Sequence, residues 1–223
     1  MTTAHELLFA LAVLWCVLCA YAATSSRWFV AGLIALGAVH WLLAADGVYA
    51  DATAFPPPQA ALLGPVLLAL IALLLHPKGR AWLGALPLIP LTALHILRIP
   101  VELVLHGGYE AGLVPQGMTY SGHNFDIVSG LTAIGMVAWM ASKRPPSRAV
   151  LVGWNIVCLV LLAIVVVTAA LSVPSTVQRI NFEQPNVLVV RAPYVLLPAL
   201  LVPCVLWAHM AALTKLLRRP ATA

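Results

Sequence analysis

Apolar residues run along this chain in long blocks, separated by short polar or proline-rich breaks. The blocks fall at 7–23, 28–49, 60–76, 82–106, 127–142, 149–172 and 193–217. Several approach the roughly 20 residues that an α-helix needs to cross the hydrocarbon core of a bilayer. The pattern predicts an all-α, polytopic membrane helix bundle of about seven transmembrane helices, folded as one domain over 1–223. Gly107-Gly108 is expected to end the fourth block, as glycine does at helix C-termini. Pro193 suits the first turn of the seventh. Prolines inside the fourth block (Pro87, Pro90, Pro100) and the seventh (Pro198, Pro203) predict kinks there. Two connections, 109–126 and 173–191, are too long for simple turns, and loops of that length are often functional.

Composition supports the same class. Hydrophobic residues make up 62% of the chain and charged ones only 9%, against roughly 25% charged in soluble domains. The net charge of +5 does not point to nucleic acid, because the basic residues sit in short connections and form no stripe or stacking platform. The partner that this distribution implies is the lipid bilayer. With the N-terminus outside, Arg27, Lys78, Arg80, Lys143, Arg144, Arg148, Lys215, Arg218 and Arg219 all fall on the cytoplasmic side, and only Arg179 and Arg191 fall opposite. That bias predicts an external N-terminus and a cytoplasmic C-terminus. The acids Asp46, Asp51, Glu102, Glu110, Asp126 and Glu183 lie at or near the other ends of the blocks, which suggests a polar chamber opening outwards.

Other readings fall away on missing parts. Met1–Glu6 has no Lys or Arg, so the first block is expected to be a retained helix and not a signal peptide. Cys16 and Cys19 form a C-x-x-C inside an apolar block, where small packing residues are the simpler reading. No internal repeat, phosphate-binding glycine loop or H-E-x-x-H motif is present.

The chemistry concentrates in a stripe on the fourth block: His95, Arg98, Glu102 and His106. Spacings of three and four place them on one helix face, with Arg98 and Glu102 spaced to pair with each other. Each such charge costs about 2.5–3.5 kcal/mol on insertion scales, so the stripe should face a bundle interior or a wet cavity. Tyr120, Ser121, His123, Asn124 and Asp126 follow in the next connection, where Asn124 or Asp126 is also a fitting helix cap. Gln184 and Asn186 come from the 173–191 connection. A ligand site is therefore expected from His95, Arg98, Glu102, Tyr120, His123, Asn124, Asp126, Gln184 and Asn186, with Arg98 holding a small polar or anionic ligand. Glu102, His106, His123 and Asp126 also offer the donors of a divalent metal site, as in a membrane-embedded enzyme. His40 and His95 lie about 18–20 Å along their helices, at depths that suit the axial ligation of a haem b in an electron carrier.

The strings Arg98-Ile99-Pro100-Val101-Glu102, Asn124-Phe125-Asp126 and Gln184-Pro185-Asn186 resemble those of uncharacterised bacterial multi-pass membrane proteins. The resemblance covers much of the chain from the fourth block onwards. It implies location in a bacterial cytoplasmic (inner) membrane and carries no established activity. Function is therefore left among ligand binding or transport, metal-dependent catalysis and electron carriage.

Overall fold

In the computed structural model, which describes residues 1–218, the chain is helical throughout, with no β-strand among those residues. Arg219 lies outside the described residues. The helices are α1 (Thr3–Thr24), α2 (Arg27–Ala45), α3 (Ala60–Leu75), α4 (Pro77–Ala85), α5 (Leu88–Leu94), α6 (Arg98–Glu110), α7 (Asp126–Met140), α8 (Arg148–Ser172) and α9 (Val202–Leu217). A 3-10 turn, His95–Leu97, joins α5 to α6, and a π-turn, Leu197–Leu201, leads into α9.

Five helical stretches are long and apolar enough to cross a membrane: α1, α2, the Leu88–Glu110 rod, α8, and Leu197–Leu217. A sixth exists if α3 and α4 count as one span, but they meet at 96°. At 15 residues, α7 rises about 22 Å, short of a ~30 Å hydrocarbon core. Length and composition thus support five or six spans, where the block pattern predicts about seven.

Prolines account for the shifted boundaries. The fourth block was expected to begin at Trp82, but the chain breaks at Leu86–Pro87, both extended (ψ 144° and 134°). A residue before proline is pushed out of the α region. His76 is extended before Pro77 for the same reason, and its ring accepts the Lys78 N–H at 3.2 Å. The segment between these breaks becomes the separate helix α4. Pro100 has no N–H to give the Ile96 carbonyl, and the 3-10 turn sits there. Pro203 likewise leaves the Ala199 carbonyl without its usual donor, inside the π-turn. The last helix therefore starts later than the sequence suggests, and Pro193 lies in the turn before it.

Gly107-Gly108 does not end α6. A Cβ on Gly107 would lie 2.1 Å from the His5 ring, so this glycine is where α1 comes up against α6. The helix runs on to Glu110, and Gly112, with φ +73°, closes its end. There the Leu113 N–H reaches Gly108 O at 2.8 Å and the Gly112 N–H reaches Tyr109 O at 2.9 Å, the two bonds of a Schellman motif.

α9 forms the centre, packed by α3, α4, α5 and α8, while α1 lies along α5 and α6 and α2 lies outside α1. The outer faces stay apolar: Leu7, Leu11, Leu14 and Leu18 on α1, and Val157, Val160, Ile164 and Val167 on α8, are exposed. Apolar belts of this size on a monomer call for lipid or a partner to cover them. Four basic residues gather at one end. Lys215 donates to Leu86 O at 2.8 Å, Arg218 to Arg80 O at 2.7 Å, and Arg148 to Arg218 O at 3.0 Å. Phe29, Trp82 and Trp207 pack together nearby, with ring centroids 5.3–6.2 Å apart.

Candidate functional site

The Arg98 side chain is buried, and four helices build its surroundings. On α7, the residues Asp126, Ser129, Gly130, Ala133 and Met136 form one buried face at helical spacing. Gly130 lets that face approach: a Cβ there would lie 2.7 Å from Ile99 Cγ1 and 3.0 Å from the Ile99 backbone N. The close approach brings Asp126, one turn earlier, into an ion pair with Arg98. The same Arg98 nitrogen donates to Cys158 O of α8 at 3.1 Å, and Ser129 Oγ donates to Asp126 Oδ1 at 3.2 Å.

The other terminal nitrogen of Arg98 lies 2.9 Å from His209 Nε2 on α9. A guanidinium only donates, so Nε2 accepts and the ring proton sits on Nδ1. From there it donates to Asn155 Oδ1 at 2.9 Å, and the Asn155 amide donates to Leu151 O, one turn back on α8. Each bond dictates the next, which fixes the tautomer of His209 and the orientation of Asn155. His95 stacks on His209 at 4.1 Å between ring centroids, with the Trp154 ring 5.4 Å away, edge-on.

Glu102 is held differently. The expected Arg98–Glu102 pair does not form, since Arg98 turns to α7. Glu102 Oε1 instead accepts from Asn124 Nδ2 at 2.6 Å, and that amide also donates to Met118 O at 2.9 Å. Asn124 Oδ1 accepts the Asp126 N–H at 3.0 Å, just before α7, whose N-cap position is taken by Phe125 with no side-chain cap, and not by Asn124 or Asp126 as expected. Glu102 Oε2 is buried with no partner among the described residues.

Arg98, Glu102 and Asp126 form part of the wall of a cavity of about 390 Å³, within the usual range for a small-molecule pocket. The rest of the wall is overwhelmingly apolar, with Val101, Leu162, Val166, Leu201 and Val205 prominent. Pro57, Gln59 and Ser175 bring the two neighbouring connections to it. The space is therefore an apolar cavity with one ionic wall, and not the polar chamber that the acids suggest.

The other expected site residues lie elsewhere. His123 is exposed, and Tyr120 stacks on His106 at 4.4 Å on the surface. Gln184 ties two connections together by donating to Tyr109 O at 3.0 Å and Val114 O at 2.6 Å. Asn186 is fully buried, outside the cavity wall, with neither amide atom bonded among the described residues. His106 Nε2 faces Glu110 at 3.7 Å. Glu102, His106, His123 and Asp126 do not converge, and no group of three or more metal-ligating side chains occurs among the described residues. His40 is bonded to the Tyr49 hydroxyl at 2.6 Å while His95 stacks on His209, so these two candidate haem ligands have separate partners. Nothing in the spacing along the chain brings Ser129, Asn155 and His209 to Arg98. Their only signal is polarity inside an apolar block.

Fold and site together define a helical protein with apolar helices long enough to cross a membrane and a buried Arg–Asp–His centre, of which Arg98 and Asp126 reach the wall of an apolar cavity. The chain belongs to the family described as a domain of unknown function (DUF8737), which matches residues 55–217. The match spans α3 to α9, and so every residue of the ionic centre. Among curated proteins and solved structures, none matches the chain.

Proposed function

We propose that this protein binds, and in doing so carries or senses, a small amphipathic molecule in the cavity beside Arg98, Glu102 and Asp126. Seven helices cross the bacterial inner membrane in this reading, α3 and the short α7 included, with the N-terminus outside. α4 then lies along the cytoplasmic interface with Lys78 and Arg80. The clustering of Lys215, Arg218, Arg80 and Arg148 at one end supports that orientation. Pro57, Gln59 and Ser175 bring to the cavity the connections that lie at the opposite end in this reading.

The observation that carries the reading is a cavity large enough for a ligand whose single ionic wall is already organised by bonds from four helices. Arg98 is not free to bind an anion, because its charge is matched by Asp126 and both terminal nitrogens are engaged. Its role is to hold the wall in place. The ligand is thus mostly apolar, with a polar group that meets Glu102.

Native mass spectrometry of protein purified in mild detergent tests the proposal. Wild type should retain a stoichiometric small molecule, and Ala169→Phe, which fills the cavity from α8, should lose it while remaining folded. Equal retention by both proteins would overturn the assignment of the cavity.

A further inference from the structure

Three residues of the cavity wall each leave a buried side-chain atom unbonded among the described residues. Glu102 Oε2, in the carboxylate form, and Gln59 Oε1 can only accept. The Gln59 amide cannot simply be turned round, because its nitrogen donates to Tyr49 O at 2.7 Å and Pro174 O at 3.4 Å. A flip would set its oxygen against those two carbonyls. The single unbonded donor on this wall is Arg98 Nε.

Glu102 is also short of positive charge. It is 1% exposed, and the one nearby guanidinium is paired with Asp126. Among the described residues, no Lys, Arg or His nitrogen lies within ion-pair distance of it. A buried carboxylate without a countercharge is costly, and removing one of two partners is what usually creates such a state. The missing complement is a group with N–H donors and a positive charge.

We infer that the ligand is an amine-headed amphiphile whose ammonium group sits against Glu102, with its apolar body along Val166, Leu201 and Val205. The inference rests on the cavity-binding reading above. Gln59, also on the wall, accepts a second N–H or hydroxyl where the ligand carries one.

Three probes of equal chain length separate the cases: decylammonium, decanol and decanoate, each titrated into phosphatidylcholine nanodiscs carrying the protein. The readout is the concentration that gives half-maximal thermal stabilisation. Decylammonium should act at a concentration about tenfold lower than decanol, the size expected of one charge-assisted bond, and decanoate should be weakest. In Glu102→Gln the preference for decylammonium over decanol should shrink to within about twofold. Decanol acting as well as decylammonium on wild type would overturn the amine assignment while leaving the cavity reading intact. No stabilisation of wild type by any probe would overturn both. The wild-type series decides the matter even where Glu102→Gln fails to fold.

Discussion

Arg98 can lie inside an apolar bundle because its partners come from elements distant in sequence. Asp126 supplies the countercharge, and Cys158 O and His209 take further N–H groups. Removing one member strands the other. Asp126→Asn should lower unfolding stability by about 3–5 kcal/mol, read as a drop in melting temperature in detergent. The double replacement Arg98→Met with Asp126→Leu should cost clearly less than Asp126→Asn alone, and an equal or larger loss would mean the pair does not compensate itself. Asn124→Ala removes the Glu102 bond and the bond to the Asp126 N–H together, for a loss of about 1–3 kcal/mol in the same assay. The stripe His95, Arg98, Glu102 was legible in the sequence, because helical spacing alone puts those residues on one face. The choice of partner was not. Spacing offered Glu102 at i+4, but Asp126 is reached only because α7 docks where Gly130 has no side chain. Asn155 and His209 carry no local signal, since their meeting depends on how α8 and α9 pack.

Two glycines decide how closely the helices approach. Gly130 sits against Ile99, and Gly107 against His5. Gly130→Val should push α7 off α6, separate Arg98 from Asp126 and cost about 1–3 kcal/mol. Gly135, on the same helix, has nothing within 4 Å of an added Cβ. Gly135→Ala should be neutral, or stabilising by up to about 1 kcal/mol through helix propensity. Comparable losses for both substitutions would show that propensity, not contact, controls α7. Existence and approximate extent of most helices could be read from the apolar blocks. The boundaries at Leu86–Pro87 and around Pro203 could not, because a proline inside an apolar block permits either a kink or a break. Packing made one a break and the other a π-turn.

Across the whole molecule, charge separates the two ends. Lys215, Arg218 and Arg148 donate to backbone carbonyls in and just after α4 and just after α9, while Glu102 and Asp126 stand on the cavity wall. The topology proposed from this makes a direct prediction about labelling. With the four native cysteines buried, an impermeant maleimide added to intact cells should label Arg179→Cys and spare Arg144→Cys until the membrane is opened. The reverse pattern would invert the orientation. Membrane class and charge bias were legible because each depends on sums along the chain. The cavity was not, since its walls come from α3, α6, α8 and α9, whose convergence no local pattern encodes.

The most direct test is the density inside the cavity, seen by electron cryomicroscopy of protein purified from native membrane without added ligand. The account predicts elongated density that starts beside Glu102 and runs between Val166 and Leu201 towards Gln59. A collapsed cavity, with α8 and α9 in van der Waals contact across it and Glu102 bonded only within the protein, would contradict it.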